Sequence, residues 1–362
     1  MTDGLRVLQV VQSLNVGGLE TVVIELCRKL VALGVHTDVC CIEEPGELAG
    51  KLAGEAIEVF SLDKPAGIHL GSVRRLRQEI QRRGYHVIHS HSSMGHFYGC
   101  LAAKLGGRPI VHTRHQMSRT LSWKQKVRAR LCAMATQRMI GVSAAVTQCN
   151  VADYALPESR VRTIYNGIDT ARFEDIPAPS TIRVIGTIGR LQPVKNQLSL
   201  LRVFERLVRR HSDLRLRIVG SGQSQQELEE YAKAAGLSER VDFAGYQSDI
   251  PQQMAQIDAF VMSSLSEGMP IVLIEAMAAA RPVVVTAVGG IPEMIEPGKT
   301  GLMVERRDDD ALEAAIRQLI EHPEQAAGMA KQARQDAVER FDIGQMASHY
   351  IAEYRSMARL DP

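Results

Sequence analysis

Two hydrophobic patterns alternate along the first half of the chain. Short apolar runs such as Leu5–Val11 are typical of buried parallel strands, and residues 21–33 repeat apolar positions at helical spacing before Gly34. The same patterns predict further strands and helices at 35–42, 73–83, 87–89, 95–105 and 110–113. A strand–helix alternation of this kind predicts a doubly wound parallel sheet.

The alternation stops at 173–180, where Pro177 and Pro179 indicate a linker, and then restarts. Strands are predicted at 183–188, 214–219, 241–243, 257–262 and 282–286, and helices at 197–210, 225–235 and 271–280. The fold class expected is therefore α/β, with two Rossmann-like lobes, 1–176 and 177–342, that face each other across a cleft. Because ligands of such sheets bind beyond the carboxyl ends of the strands, the cleft is the expected site. Residues 343–362 add a C-terminal segment with helical spacing.

Composition agrees with a globular protein of more than one core, since the chain has 362 residues and 45% hydrophobic positions. Its net charge is only +2, and none of its six cysteines forms a Cys-x-x-Cys pair, which argues against a structural zinc site. We see neither a secretory signal nor an apolar stretch of about 20 residues. We therefore expect a cytoplasmic protein with reduced, mostly buried thiols.

The segment from Ser263 to Glu275 joins a predicted strand to a predicted helix. Gly268 allows a ligand to approach the backbone, and Pro270 suits a first helical turn, where free N–H groups and the helix dipole favour an anion. Glu267 precedes the helix, and Glu275 follows in its second turn. Carboxylates accept hydrogen bonds from paired hydroxyls, although acidic residues near a helix start also simply complement its dipole.

This segment resembles the signature of family 4 retaining glycosyltransferases, which have the GT-B fold. Other stretches match in order over nearly the whole chain, most clearly from 184 to 304. They are Gly17-Gly18-Leu19-Glu20, Tyr165-Asn166-Gly167-Ile168-Asp169, Gly189-Arg190-Leu191 with Lys195, Val219-Gly220-Ser221-Gly222, Gly245-Tyr246 and Gly289-Gly290-Ile291-Pro292-Glu293.

The resemblance implies retaining transfer of a hexosyl unit from a nucleotide-diphosphate sugar to a hydroxyl of a glycan or lipid-linked acceptor, in bacterial surface polysaccharide or glycolipid synthesis. It implies that Arg190 and Lys195 bind the diphosphate, that Glu267 contacts the donor sugar and that Glu275 accepts the ribose hydroxyls. Backbone contacts are implied for Gly189, Gly220, Gly245, Tyr246, Gly268, Met269, Pro270 and Ile271. A UDP-sugar is preferred on family frequency, and GDP-mannose is the next choice.

On the N-terminal side the resemblance implies that His91 contacts the donor sugar, while His89 packs below it. Gly17 and Gly18 would allow the backbone to approach phosphates or acceptor. Arg114 and His115 follow the strand at 110–113 and are expected to face the cleft. The C-terminal helix is implied to cross back to the N-terminal lobe.

Other interpretations of the same residues stay open at this point. A nucleotide-sugar epimerase shares the two-lobe architecture, and a non-enzymatic sugar-nucleotide sensor would bind the same ligand. Glu267 with Glu275 is also a carboxylate pair of the kind that glycosidases use, but the phosphate-binding context argues against hydrolysis. Asp308-Asp309-Asp310 resembles a metal-binding motif, but Asp308 as the N-cap of a following helix explains it better. We expect no metal and no cofactor, since the nucleotide-sugar is a co-substrate.

The stretch from Ile80 to Ala152 contains no Asp or Glu and eleven Lys or Arg residues, among them Arg119, Lys124, Lys126, Arg128, Arg130 and Arg138. Trp123 and Leu131 interleave with them. The stretch is either a solvated basic face or a surface that docks on anionic lipids at the inner face of the plasma membrane. Nucleic acid is not expected as a partner, because no base-reading motif accompanies the charge.

Overall fold

The computed structural model describes residues 4–117 and 122–358, so Arg119 of the basic stretch lies outside the described residues. The chain divides into two compact units. Unit 1 contains the described residues up to Gly167 and those from Ile343 onward, and unit 2 spans Ile168–Asp342. Each is built on its own parallel sheet.

The sheet of unit 1 has seven strands among the described residues, in the order β3-β2-β1-β4-β5-β6-β7, and all neighbours are parallel. Its strands are β1 (Arg6–Val11), β2 (His36–Cys41), β3 (Val59–Ser61), β4 (Val87–His91), β5 (Ile110–Arg114), β6 (Arg138–Gly141) and β7 (Val161–Thr163). The connecting helices are α1 (Gly18–Ala32), α2 (Leu70–Arg83), α3 (Ser93–Leu105), α4 (Trp123–Ala135) and α5 (Ala144–Tyr154).

Unit 2 has a sheet of six strands within its described residues, in the order β10-β9-β8-β11-β12-β13, again parallel throughout. Its strands are β8 (Val184–Ile188), β9 (Arg215–Val219), β10 (Val241–Gly245), β11 (Ala259–Met262), β12 (Val283–Thr286) and β13 (Leu302–Val304). Its helices are α6 (Gln197–Leu207), α7 (Gln225–Ala234), α8 (Ile250–Ala255), α9 (Ile271–Ala278), α10 (Asp309–Glu321) and α11 (Pro323–Arg340). The chain then returns to unit 1 as α12 (Ile343–Met357).

Local chemistry explains several helix ends. Gly84 ends α2 in the left-handed region with φ 68°, which glycine adopts without a Cβ clash. Ser122 begins α4 through a reciprocal capping box with Gln125. Asp308 accepts a hydrogen bond from Ala311 N at 2.8 Å and caps α10, so the N-cap interpretation of the Asp308–Asp310 run is confirmed.

Strand order decides where ligands approach these sheets. In unit 1 the order reverses between β1 and β4, and in unit 2 it reverses between β8 and β11. Crossover helices diverge at such a reversal and leave a crevice beyond the carboxyl ends of the two strands. Gly17 and His91 therefore lie at the reversal of unit 1, and Lys195 and Glu267 lie at that of unit 2.

The first boundary between the units lies at Gly167/Ile168 rather than at the predicted 176/177. Two contacts inside unit 2 explain the difference. Ile168 pairs with Asp342 in an isolated bridge, and the short 3-10 helix Thr170–Phe173 packs against α9. The prolines near residue 177 therefore follow a segment that already belongs to unit 2.

Helix α12 is held on unit 1 by buried hydroxyl groups. Tyr354 OH lies 2.6 Å from His89 Nδ1, and Tyr350 OH lies 2.9 Å from Thr113 Oγ1. Both tyrosines are at most 2% exposed. Buried polar groups must find partners to offset their lost hydration, so these contacts specify how α12 docks.

Five of the six cysteines are buried, Cys149 is partly exposed, and all six are free thiols. Burial raises the pKa of the Cys27 thiol to about 12, which keeps it protonated and unreactive near neutral pH. Across the two described ranges, every helix is too short or too polar to cross a membrane.

Candidate active site

Lys195 and Glu267 lie far apart in sequence but meet beyond the sheet of unit 2. Lys195 Nζ donates to Glu267 Oε1 at 2.6 Å, and Ser264 Oγ donates to the same oxygen at 2.6 Å. The side chains of Lys195 and Glu267 are 20% and 9% exposed. Charge-assisted hydrogen bonds are short and directional, so the Glu267 carboxylate is held in one orientation.

Backbone contacts bring this pair together. Leu265 N donates to Val194 O at 2.8 Å, and Ser263 Oγ donates to Asn196 O at 2.9 Å. The segment that leaves β11 is thereby tied to the 3-10 turn Pro193–Lys195 that follows β8. Each segment alone would leave its charged side chain in solvent, and the link between the two loops creates the site.

A glycine turn supports Glu267 from behind. Gly289 has φ +57°, and a Cβ there would lie 1.7 Å from the carbonyl oxygen of Glu267. Gly290 N donates to Gly268 O at 3.0 Å. The turn therefore packs directly on the backbone that carries the carboxylate, and no side chain fits at Gly289.

Helix α9 begins beside the pair. Its first residue is Ile271, and Pro270 is the N-cap rather than part of the first turn as predicted, because its ψ of 118° is extended. Pro270 provides no side-chain cap, so an anion is favoured beside the N-terminus of α9, where the helix dipole is positive. Glu275 lies in the second turn and is 7% exposed.

Three predicted backbone positions cluster at the carboxyl ends of neighbouring strands. Gly189 N donates to Val219 O at 2.9 Å, and Gly220 N donates to Gly245 O at 2.7 Å. Gly220 has φ +137°, and a Cβ there would lie 2.0 Å from Gly189 O. The surrounding side chains of Arg190 and Tyr246 are exposed, the latter by 46%. At these three positions the edge of the sheet presents backbone without side chains, and the exposed Arg190 and Tyr246 follow two of them.

In unit 1, a chain of hydrogen bonds runs through His91. Its Nε2 lies 2.9 Å from Gln9 Oε1, and its Nδ1 lies 3.1 Å from His115 Nε2. A neutral imidazole has one donor and one acceptor. If Gln9 Oε1 accepts from His91 Nε2–H, His91 Nδ1 must accept from His115, and Nδ1 of His115 is left as an acceptor.

Burial distinguishes the two rings. His91 is 1% exposed, and burial holds its pKa well below the ordinary value. His115 is half-buried, and burial lowers its pKa to about 3. A ligand would therefore reach His115 first, because His91 would have to give up Gln9 or His115 to offer a ring nitrogen.

The remaining candidates of unit 1 have structural partners. Arg114 pairs with Asp153 at 2.8 Å and lies 5.5 Å from the centre of the Tyr154 ring. Gly17 is the N-cap of α1 in extended backbone, and Gly18 is the first residue of that helix. The Glu20 carboxylate lies over Gly17, where a Cβ would be 2.2 Å from its oxygen. The N-terminus of α1 thus has an acidic side chain of its own beside it.

Sequence reasoning gave no role to Gln9, Ser263 or Ser264. A glutamine inside the apolar run Leu5–Val11 was the available signal for Gln9, which is fully buried. The two serines follow a strand, but their roles depend on partners from distant loops. Searched over the described residues alone, His, Cys, Asp and Glu side chains form no group suited to hold a metal ion.

Comparison with known proteins adds independent findings. Residues 16–172 match the protein family described as "Glycosyltransferase Family 4", and residues 169–336 match the family described as "Glycosyl transferases group 1". The GDP-mannose-dependent alpha-(1-6)-phosphatidylinositol monomannoside mannosyltransferase of Mycolicibacterium smegmatis is 32% identical over 67% of this chain and 69% of its own length. The D-inositol 3-phosphate glycosyltransferase of Corynebacterium urealyticum is 28% identical over 75% and 72%. A crystal structure of Anabaena Alr3699/HepE with UDP and glucose has a TM-score of 0.83 at 25% identity, over 97% of this chain and 99% of that one.

Proposed function

Because this chain belongs to the family 4 glycosyltransferases and has their GT-B fold, we propose that it transfers a hexosyl unit from a nucleotide-diphosphate sugar to a hydroxyl acceptor. The anomeric configuration is retained, and the acceptor is a glycan or a lipid-linked saccharide of the bacterial surface. Unit 2 binds the donor. The transfer uses neither a metal ion nor a cofactor.

The joint arrangement of Lys195, Glu267 and the start of α9 carries the proposal. A cation, a fixed carboxylate and the N-terminus of α9, which has no side-chain cap, lie together beyond the β8/β11 reversal. A diphosphate next to a sugar needs this combination: positive groups for the phosphates and an acceptor for the hydroxyls.

Each residue then has a distinct role. Lys195 and the exposed Arg190 neutralise the charge that grows on the leaving diphosphate, which is where preorganised electrostatics lower a barrier most. Glu267 accepts from the hydroxyls of the sugar, and Glu275 accepts from those of the ribose. Backbone of Gly189, Gly220, Gly245, Gly268, Met269, Pro270 and Ile271 lies along the donor, with Tyr246 at the base.

In this scheme Lys195 pairs either with Glu267 or with a phosphate of the donor. Its ammonium is paired with Glu267 in the structure. With donor it turns to a phosphate, and the sugar hydroxyls replace it at the carboxylate. The ion pair keeps both side chains ordered in advance, so less conformational entropy is lost on binding.

The residues of unit 1 complete the proposal. His91 stays the candidate for the contact with the donor sugar, and His115, whose Nε2 lies 3.1 Å from His91 Nδ1, is a second candidate. Gly17, Gly18 and Arg114 stay candidates for the phosphate or acceptor. The leaving phosphate takes the proton of the acceptor hydroxyl on the same face, and positioning of the two substrates supplies much of the rate increase.

A UDP-sugar is the preferred donor. The Anabaena protein binds UDP and glucose, whereas the mycobacterial relative is named for GDP-mannose, so GDP-mannose is the alternative. The name of that relative contains a phosphatidylinositol monomannoside, which supports a lipid-linked acceptor here. A position on the inner face of the plasma membrane is part of the same proposal.

Thermal unfolding in the presence of UDP-, GDP- and ADP-sugars tests the donor. A ligand at 100 times its dissociation constant stabilises the folded state by about 2.7 kcal/mol, which is readily measured. Release of nucleoside diphosphate only when an acceptor is present would support transfer over epimerisation. No stabilisation by any of the three sugars would contradict the proposal.

Substitutions test the assignment of the two carboxylates. We expect Glu275→Ala to weaken donor binding, and Glu267→Ala to lower turnover more than binding. Glu305→Ala is the matched control, because it removes one negative charge from an exposed position of unit 2. Wild-type rates in both test variants would refute these roles.

A further inference from the structure

Helix α4 presents an apolar stripe to solvent. Trp123, Val127, Leu131 and Met134 recur at intervals of four, four and three residues, so they share one face of the helix. Their exposed fractions are 70%, 50%, 61% and 56%. Only Cys132 and Ala133 of this helix are buried. Packing inside unit 1 therefore leaves most of the apolar surface of α4 in contact with water.

The stripe holds a large share of the protein's exposed hydrophobic side chains. Within the described ranges, eleven large hydrophobic side chains are exposed; the stripe accounts for four of them, and Leu105, at the end of neighbouring α3, is another. Single exposed apolar residues are normal, but a contiguous apolar patch marks an interaction surface.

A groove continues the stripe into the fold. Between α3 and α4 lies a cavity of about 430 Å³, lined by Phe97 and Leu101 on one side and by Trp123, Val127 and Leu131 on the other. Lys124 and Arg128 also line it. The Arg128 guanidinium lies 5.1 Å from the centre of the Phe97 ring, so the cations border an apolar opening.

Charge indicates what covers this surface. Helix α4 carries Lys124, Lys126, Arg128 and Arg130 and no acidic residue, and it lies in the acid-free stretch 80–152. An anionic bilayer presents phosphates above hydrocarbon, which complements cations beside an apolar stripe. Apolar and aromatic residues on one face with lysine and arginine beside them are typical of helices that lie in a membrane interface.

We propose that α4 is an interfacial membrane helix whose apolar stripe enters the acyl layer of an anionic bilayer. Lys124, Lys126, Arg128 and Arg130 contact lipid phosphates, and the α3/α4 groove accepts hydrocarbon from the same leaflet. The inference rests on the proposed function for its purpose, since a lipid-linked acceptor is presented at such a surface.

Trp123 is the only tryptophan of the chain, so intrinsic fluorescence reports on the proposed contact alone. The full-length protein is mixed with vesicles of phosphatidylglycerol or of phosphatidylcholine, each with and without brominated acyl chains. We expect a blue shift and quenching with phosphatidylglycerol at low salt, and a return toward the free spectrum at 1 M salt, where the Debye length is about 3 Å.

Leu131→Glu is the test variant, because it places a carboxylate in the centre of the stripe. We expect its partition onto phosphatidylglycerol vesicles in flotation to fall roughly tenfold or more. Val338→Glu is the matched control, since Val338 is 49% exposed on α11 of unit 2 and should partition like the wild type.

Three results would overturn the inference. They are an unquenched Trp123 with anionic vesicles at low salt, equal partition of Leu131→Glu and wild type, and a lipid-free dimer that buries Trp123, which would assign the stripe to a second copy. If Leu131→Glu does not fold, quenching of the wild type decides alone. Thermal stabilisation of the wild-type protein by UDP is measured on the same samples. If UDP does not stabilise it, that result counts against the proposed function and not against this inference.

Discussion

Replacement of Gly289 by alanine perturbs the candidate site without touching a candidate ligand contact. The new methyl group would lie 1.7 Å from Glu267 O and 2.8 Å from Glu267 C. Both atoms belong to the backbone, so no side-chain rotation relieves the overlap. The turn or the Glu267–Gly268 segment must move.

Two contributions set the size of the effect. A residue with a Cβ at φ +57° costs about 1–2 kcal/mol, and overpacking of a close contact typically costs about 1–3 kcal/mol. The expected destabilisation is therefore about 2–5 kcal/mol. For a domain of this size each kcal/mol lowers the melting temperature by roughly 2–4 °C.

Gly298→Ala is the matched control. Gly298 also has positive φ, at +77°, but a Cβ there would have no atom within 4 Å. It should show the backbone contribution alone. Thermal unfolding and titration with the stabilising nucleotide-sugar are measured on both variants, and Gly289→Ala should lose more stability and more donor affinity. Equal behaviour of the two variants would show that contact with the Glu267 carbonyl is unimportant and would refute the reasoning.

The remaining predictions concern other polar contacts. Tyr354→Phe removes the hydroxyl that lies 2.6 Å from the buried His89 Nδ1 and should lower the free energy of unfolding, measured in urea, by about 1–3 kcal/mol. Tyr246→Phe, at an exposed ring, should change this free energy little. Ser264→Ala removes a charge-assisted hydrogen bond to Glu267 and should lower kcat/KM by about tenfold with a small change in melting temperature; unchanged kinetics would argue against a positioning role. Acid should destabilise unit 1, because burial lowers the pKa of His96 to about 3. The contribution of neutral His96 to the free energy of unfolding is complete above pH 6.5. It falls by up to about 1.4 kcal/mol per pH unit as the pH drops toward 3. Equal unfolding free energies at pH 7 and pH 5 would contradict this.

Much of the fold was predictable because the signals are local. A buried parallel strand must be apolar on both faces, and a helix that covers a sheet must repeat apolar residues every three to four positions. Strands β1, β4, β5, β8 and β9 and the caps at Gly84 and Asp308 follow from such rules. These local rules did not predict helix α4, because its apolar residues face water and its cationic residues interrupt the apolar pattern.

The sequence by itself determined the order of elements, the glycine-rich turns and the charged residues that resemble a donor site. Only the tertiary structure decided that Lys195 and Ser264 meet at one oxygen of Glu267, that Gly289 packs behind it, and that both ring nitrogens of His91 are engaged. The physical reason is that these contacts join segments whose separation is set by strand order, whereas residue preferences act over a few neighbouring positions. Exposure is decided in the same way: the sequence placed Trp123 in a basic stretch without showing how far its side chain is covered, and the packed unit leaves it 70% exposed.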